Sequence, residues 1–395
     1  MKILFVVNNF NIGGPQKSLL NLLYDLEGKN VNIDLMILNQ QDELSKYLPS
    51  YVNKISVPSK YALLMLDKNS LPINLIKNLK SPKLIFNTLL FIVKSKMKKY
   101  NNTKEKQKFW IDNKWNFTEF TKTYDYAIGF SGGHSIYFVH DYINADNKIG
   151  SIISDYKVFN RDNEIDKKYF EDMTAMLAVS NKCAEIFYEL FDIQAEVFYN
   201  SLPIKLYENI DEKQFDYNPK NMNLCTICRL DEGKGLDLLI DAAKFIKKSK
   251  LNIKWYVVGK GKLENWLEQE IEKNQLNNIV IPLGFIFNTG SILKKMDLLI
   301  HPSRFEGKSN TIDEALFYNK IIVATNFDTV FEQINDGDNG FIVNMDGKEI
   351  AEKIIELYKN EDLYHDIKNK IINSSNSNID KGKEFLDLLH KMGEH

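Results

Sequence analysis

Cysteine is scarce: three in 395 residues, an odd number that cannot build a disulfide framework and that fits a reducing cytoplasm. Cys225 and Cys228 do form a C-x-x-C, but the run Leu224-Cys-Thr-Ile-Cys-Arg reads as a strand. Residues three apart on a strand face opposite sides, so neither a redox couple nor a zinc site is expected there. Long hydrophobic runs are also missing. The N-terminal Met1-Lys-Ile-Leu-Phe-Val-Val-Asn holds five consecutive apolar residues, enough for a buried strand and too few for a signal-peptide core. The longest apolar stretch elsewhere, Leu84–Val93, is interrupted by Asn87 and Thr88 and is too short to span a bilayer. Charge of one sign is not in excess: 51 Lys and Arg face 53 Asp and Glu, a net of −2. That balance supplies no global field for nucleic acid or membrane, so no nucleic-acid partner is expected and any membrane preference must come from a local patch. Short repeats, low-complexity segments and the G-x-G-x-x-G dinucleotide fingerprint are absent as well.

What is present is ordinary globular material, 44% hydrophobic and 26% charged. The length exceeds what one core usually supports, so two domains are expected. Residues 3–7 read as a strand, followed by a polar loop ending in Gly13-Gly14-Pro15, a Leu-rich helix and a second strand at 31–38. Further strands are predicted at 124–130, 148–153, 174–179 and 196–199. After a polar stretch the alternation starts again, with strands at 223–228, 254–258, 278–282, 298–301, 321–324 and 341–343. Helices are expected between them, including 235–246, 263–274, 310–318 and 348–358. Strand–helix alternation, twice over, predicts an α/β protein with two parallel sheets. The predicted division is an N-terminal domain over 1–205 with a Lys-rich helical insertion near 59–120, a second domain over 206–375, and a closing helix at 376–395 that returns to the first domain or stays apart.

The densest chemistry lies in His301-Pro-Ser-Arg-Phe-Glu-Gly-Lys-Ser-Asn-Thr-Ile-Asp-Glu-Ala-Leu. Here a buried strand runs into a glycine-bearing loop and then a helix. Ligands in such sheets sit at the carboxyl ends of the strands, and a helix N-terminus suits phosphate. Asn310 is the expected cap, and Gly307 lets backbone approach a ligand. Glu306 and Glu314, eight apart, are placed to face one pocket, where a carboxylate accepts from paired sugar or ribose hydroxyls. Spacing alone is weak evidence, since Glu264 and Glu272 repeat it on what reads as a solvated helix.

The segment P-S-x-x-E-G–x–E-A-L, followed by Lys320-Ile-Ile-Val-Ala-Thr-Asn, resembles the E-x7-E signature of family 4 glycosyltransferases, retaining enzymes of the GT-B fold. Arg229-Leu-Asp-Glu-Gly-Lys234-Gly is similar to the family's R-L-x-x-x-K-G loop, Val257-Val-Gly-Lys-Gly to its V-V-G-x-G, and Asp336-Gly-x-x-Gly340-Phe to its D-G-x-x-G segment. The matches run in order over roughly 220–345. The N-terminal half is similar more loosely, through Gly13-Gly14. Within the family the chain looks most like bacterial capsule and exopolysaccharide enzymes.

The resemblance implies GT-B architecture, two Rossmann-like domains whose parallel sheets face a central cleft, and transfer of a sugar from a nucleotide-sugar donor, UDP-linked by family habit, to a glycan acceptor, with a lipid-linked one suggested. It assigns Arg229 and Lys234 to the donor diphosphate, Glu306 to the donor sugar and Glu314 to the ribose. Backbone N–H groups across Gly307, Lys308, Ser309 and Asn310 would meet the phosphate, with Gly259, Gly13 and Gly14 as further donor-binding positions. No cofactor and no metal are implied. Asp336-Gly-Asp338 has the look of a metal-binding D-x-D, yet its place before a strand reads as a turn. Without the resemblance, Arg229 and Lys234 read as solvated loop charges, and Gly259 as a turn glycine.

One position departs from the pattern. Relatives carry a histidine after the strand equivalent to 148–153, and this chain reads Gly150-Ser-Ile-Ile-Ser154-Asp155-Tyr156. Ser154 stands where that sugar-contacting histidine is expected. Either Asp155 or His134 takes the role, or activity is reduced. His134 follows a Gly-Gly turn and reads equally as a cleft or a surface residue. This departure keeps a non-catalytic GT-B subunit in view; a sugar-nucleotide epimerase of the same fold is a second alternative, against which the Arg229–Lys234 loop with Glu306 and Glu314 favours transfer. Finally, Leu71–Tyr100 holds seven lysines and no acidic residue, interleaved with Leu, Ile and Phe. That pattern suits either the interface of an anionic membrane or a core-packed arm with solvated lysines. The expected location is cytoplasmic, with peripheral attachment to the inner face of the plasma membrane left open.

Overall fold

The computed structural model describes residues 1–39, 42–58, 61–66, 82–95, 102–153, 156–374 and 380–393. The chain divides into two compact units, Met1–Ser201 with Asp380–His395, and Leu202–Ile379.

The first unit is built on a parallel sheet of seven strands: β1 Lys2–Val7, β2 Asn32–Ile37, β3 Asn53–Ile55, β4 Thr123–Phe130, β5 Asn144–Ile152, β6 Ala175–Ala178 and β7 Glu196–Val197. Their spatial order is β3-β2-β1-β4-β5-β6-β7, so the order reverses beside β1 and β4. Register is fixed by apolar residues along the central strands, with Ile3 opposite Ile33 and Tyr126, and Phe5 opposite Leu35 and Ile128. All five residues Ile3 to Val7 are buried, as expected for a strand covered on both faces. The last described helix, Lys381–Gly393, belongs to this unit. Its Phe385 is 1% exposed and stacks on Phe5 at 6.0 Å between ring centroids. Gly382 lies so close to the Asp25 carbonyl that a Cβ there would stand 2.1 Å from the oxygen.

The second unit repeats the arrangement with six parallel strands: β8 Met222–Ile227, β9 Ile253–Val258, β10 Val280–Gly284, β11 Leu298–His301, β12 Ile321–Thr325 and β13 Phe341–Val343. Their order is β10-β9-β8-β11-β12-β13. Alternation along the strands divides the core in two. Leu224, Trp255, Val257, Leu298 and Ile300 pack on one face with helices Leu236–Ser249 and Gly347–Lys359. Cys225, Ile227, Tyr256, Val258 and Leu299 pack on the other with helix Asn310–Phe317. Cys225 thus belongs to one face and Cys228 packs against the other, which is the separation expected of residues three apart on a strand. Both are free thiols.

The two doubly wound parallel sheets are the predicted α/β, Rossmann-like class. Among the described residues of the first unit, the short edge strand β3 and the α-helices His134–Tyr142 and Asn163–Glu171 go beyond the sequence reading. The C-terminal region resolves into two helices, Glu361–Ser374 in the second unit and Lys381–Gly393 in the first.

Because Phe385 closes the face of the first sheet, Phe385→Ala should destabilise that unit by about 3–5 kcal/mol. Native-state hydrogen exchange is the check: amide protection should fall in β1 and stay unchanged in β8 and β9. Equal loss in both units would mean that the helix supports the whole chain rather than its own sheet.

Candidate functional site

In the second unit the strand order reverses beside β8 and β11, and the loops that leave these two strands carry the charged residues. A doubly wound sheet opens a crevice at such a reversal, because neighbouring connections leave toward opposite faces. The two loops are fastened to each other. The Arg304 backbone N–H donates to the Gly233 carbonyl at 2.9 Å, and the Arg304 guanidinium grips the Asp237 carboxylate with bonds of 2.8 and 2.6 Å. Gly235 has φ of +64°, and a Cβ there would stand 1.9 Å from the Pro302 carbonyl oxygen, so only glycine fits.

This fastening brings Lys234 onto Glu306. Lys234 Nζ donates to Glu306 Oε1 at 2.6 Å. The same oxygen accepts from Ser303 Oγ at 2.8 Å and pairs with His301 Nε2 at 3.2 Å. A carboxylate only accepts, so His301 carries its proton on Nε2, and its buried Nδ1 has no partner. Burial pushes the Glu306 carboxyl upward, but the His301 hydrogen bond and the Lys234 charge outweigh it and hold the group at about 2. Glu306 is therefore a carboxylate with one oxygen saturated by protein donors, while Oε2 takes no part in these three bonds. Thr329 Oγ1, donating to the Glu306 carbonyl at 3.1 Å, fixes the backbone behind it.

Glu314 lies one turn into the following helix and is 3% exposed. Its Oε2 accepts from Thr289 Oγ1 at 2.5 Å and from Tyr207 OH at 3.1 Å. Burial, then the Glu314 charge, raises the Tyr207 phenol well above its ordinary range, so it remains a donor.

The helix Asn310–Phe317 is capped by Ser309, whose side chain accepts from the Ile312 N–H, and Asn310 is its first residue rather than the cap. Ser309 has the extended backbone that a cap requires, with φ of −81° and ψ of 108°. Its own N–H donates to Gln333 Oε1 at 2.9 Å, and Gln333 Nε2 returns a bond to the Ser309 carbonyl at 2.9 Å. The Ser309 N–H is thus already engaged, which narrows the predicted phosphate-facing set. The Lys308 ammonium folds onto Asp313, which also accepts from Gln333 Nε2 at 2.7 Å.

The remaining residues named from the sequence have these surroundings. Arg229, with its side chain 71% exposed, pairs with Asp231 in its own loop and not with Glu306. Gly259 packs on the Cys228 carbonyl, where a Cβ would stand 1.9 Å from the oxygen, so close backbone packing accounts for it. Glu264 and Glu272 are exposed, as expected for a solvated helix. Asp336 and Asp338 lie in a turn, Asp336 accepting from the Ile342 N–H at 2.9 Å and Asp338 pairing with Lys370.

In the first unit, Gly13 and Gly14 lie at the start of the helix Gly14–Asp25, where among the described residues no side chain caps the helix and no atom stands within 4 Å of a Cβ built at Gly14. The loop after β1 is tied to the loop after β4, Asn8 Nδ2 donating to the Gly132 carbonyl at 3.2 Å. His134 turns its ring against Trp110, at 5.4 Å, and Tyr137. Burial, followed by the Arg161 and Lys106 charges, lowers it to about 3, so the ring is neutral and its Nε2 is unpartnered. Ser154 and Asp155 lie outside the described residues.

Sequence reasoning did not single out His301, Ser303, Gln333, Tyr207 or Thr289. His301 and Ser303 were within reach, since they bracket the proline that ends β11 and share its loop with Glu306. Tyr207 lies 107 residues from Glu314, and no local pattern links them.

Residues 208–374 match the family model for glycosyl transferases group 1. An uncharacterized glycosyltransferase of Methanocaldococcus jannaschii is 35% identical over 132 residues, 33% of this chain and 36% of that protein. An N-acetylgalactosaminyltransferase of Campylobacter jejuni, named for an N-acetylgalactosamine-N,N'-diacetylbacillosaminyl-diphospho-undecaprenol substrate, is 29% identical over 46% of each chain. A capsular polysaccharide biosynthesis glycosyltransferase of Staphylococcus aureus is 28% identical over 39% of this chain and 41% of its own. The chain spans between about a third and a half of the length of these curated relatives. Whole-chain likeness is to solved structures: HepE of Anabaena in complex with UDP, with TM-score 0.67, 16% identity, and 99% and 100% coverage, and TarM of S. aureus, with TM-score 0.68, 14% identity and full coverage of both chains. The fold is GT-B, and the chain resembles bacterial capsule and cell-surface glycosyltransferases.

The depressed Glu306 group makes a pH prediction. Its folded value of about 2 lies below the ordinary 4.5, so its contribution to stability is complete above pH 4.5 and is lost as the pH falls toward 2. Urea midpoints of wild type and Glu306→Gln should differ by a constant amount above that range and converge as the pH falls through it, by at most about a factor of ten in folding constant per pH unit. Parallel curves from pH 6 to about pH 3 would show that Lys234 and His301 do not hold the carboxylate.

Proposed function

We propose that this chain is a retaining glycosyltransferase that moves a sugar from a UDP-linked donor to a glycan acceptor in cell-surface polysaccharide assembly. The observation that carries the reading is the pairing of Lys234 with Glu306 at the strand-order reversal of the second sheet, with Glu314 anchored one turn into the helix that follows.

The chemistry follows from that pairing. An ammonium has three protons, and Glu306 Oε1 takes one from Lys234, leaving two for the donor diphosphate. Glu306 offers Oε2 to hydroxyls of the donor sugar. Glu314, held by Thr289 and Tyr207, accepts from the ribose. When the bond from the anomeric carbon to the diphosphate oxygen breaks, negative charge grows on the departing nucleotide. Lys234, the N-terminus of helix Asn310–Phe317 and the exposed Arg229 arm stabilise that charge, each charge-assisted bond contributing about 1.5–3 kcal/mol. The acceptor hydroxyl oxygen bonds to the same carbon, and its proton leaves with the nucleoside diphosphate. The UDP assignment is supported by the Anabaena structure solved with UDP, and a lipid-linked acceptor by the undecaprenol-linked substrate named for the Campylobacter relative.

Calorimetry with UDP and turnover with UDP-sugars separate the two glutamates. Glu314→Ala should weaken UDP binding at least about tenfold, since the ribose loses its acceptor. Glu306→Ala should leave UDP affinity within a few-fold and lower turnover about a hundredfold or more. UDP binding unchanged in Glu314→Ala would remove the ribose assignment. A wild-type chain that binds UDP-sugars yet neither hydrolyses nor transfers them would be a non-catalytic subunit.

Because protein cations meet the diphosphate, transfer should persist in EDTA at an undiminished rate. Complete loss that manganese restores would put a metal, rather than Lys234, on the diphosphate.

A further inference from the structure

The helix Pro82–Ser95 is apolar on two sides, and the first unit uses one of them. Leu84 and Thr88 are buried, Phe91 packs into the core, and Asn87 Nδ2 donates to Asn113 Oδ1 at 2.9 Å on the neighbouring helix Asn102–Asn113. On the other side Phe86, Leu89, Leu90 and Val93 are 65, 50, 42 and 62% exposed. Their i, i+3, i+4, i+7 spacing lines them up in one stripe. Among the described residues no other α-helix exposes more than one large hydrophobic side chain. Single exposed apolar residues are normal on a soluble protein, whereas a continuous stripe marks a surface that something covers.

Charge identifies the cover. Lys83 is exposed three residues before Phe86, and Lys94 follows Leu90 by four, so both lie along the stripe. In sequence they belong to a set of seven, Lys77, Lys80, Lys83, Lys94, Lys96, Lys98 and Lys99, with no acidic residue from Leu71 to Tyr100. A second copy of the chain would bring its own Lys83 and Lys94 to the same face, like charge against like. An anionic lipid surface satisfies both features, since the stripe enters the acyl boundary while the lysines stay among the headgroups. No helix among the described residues is long and apolar enough to cross a membrane, so this contact is one of lying on the bilayer.

We infer that the face formed by Phe86, Leu89, Leu90 and Val93, with its flanking lysines, docks this chain on an anionic membrane. The inference stands apart from the glycosyl-transfer chemistry, since it needs neither donor nor acceptor.

The experiment is co-sedimentation of the full chain with vesicles, without any sugar nucleotide. Vesicles of phosphatidylcholine alone are compared with vesicles holding about 30 mol% phosphatidylglycerol, at low salt and at roughly 0.5 M NaCl. Wild type should sediment only with the anionic vesicles, and much less in high salt. Phe86→Ser with Val93→Ser, the two most exposed members of the stripe, should reduce the bound fraction at least about tenfold. Lys83, Lys94, Lys96 and Lys98, all changed to Gln, should do the same, with circular dichroism unchanged in both variants. Wild type in the supernatant under every condition would overturn the inference, as would wild-type binding by the Phe86 and Val93 variant. A concentration-dependent dimer in sedimentation velocity, abolished by the same substitutions and accompanied by no vesicle binding, would assign the face to a second copy instead.

Discussion

The ion pair of Lys234 with Glu306 is the contact on which the second unit's site depends. The two residues lie 72 positions apart in sequence and meet at 2.6 Å only because β8 and β11 are neighbours at the reversal of strand order. A largely buried carboxylate alone would protonate or draw in water. With Lys234, Ser303 and His301 on one oxygen it stays charged and fixed in orientation. A group held in that way needs little reorganisation when a partner arrives on its other oxygen, which is the advantage of a preorganised electrostatic site.

Backbone packing makes the ion pair possible. Gly235 against the Pro302 carbonyl, and Gly259 against the Cys228 carbonyl, let three chain segments approach more closely than any side chain would allow. Arg304 then locks the β8 and β11 loops by pairing with Asp237. The glycines of the R-L-x-x-x-K-G and V-V-G-x-G segments therefore act first on the positions of the charged residues, and the positions of the charged residues decide the chemistry. Gln333 completes the frame from a third direction by bonding the Ser309 backbone on both its donor and its acceptor.

Much of this was legible in the sequence. The strands of the second unit are buried on both faces and read as unbroken apolar runs, such as Leu298–Ile300, so their existence follows from composition alone. The Glu306 and Glu314 positions were visible because a strand, a glycine and a helix start bracket them. What stayed hidden depends on tertiary contact. The edge strand β3, Asn53–Ile55, has two exposed residues of three and no apolar pattern to betray it. Ser309 and Asn310 are both good caps, and only the local dihedral angles decide for Ser309. Tyr207 and Thr289 reach Glu314 from distant segments, and nothing near them in sequence distinguishes them from ordinary polar residues. His134 reads from the sequence equally as a cleft or a surface residue, and its ring packs against Trp110 and Tyr137, a setting that no local pattern announces.

The two units share one topology and use it differently. In both, the strand order reverses beside the first and fourth strands, and in both a side chain or loop bond links the two connections there. In the second unit that link is a pair of full charges ringed by donors. In the first it is the neutral bond from Asn8 to the Gly132 carbonyl, with Asn8 Oδ1 unpartnered. A charged, saturated link suits a site that must meet a highly charged diphosphate, while a neutral one with orphaned polar atoms suits hydroxyl-rich ligands that bring their own donors.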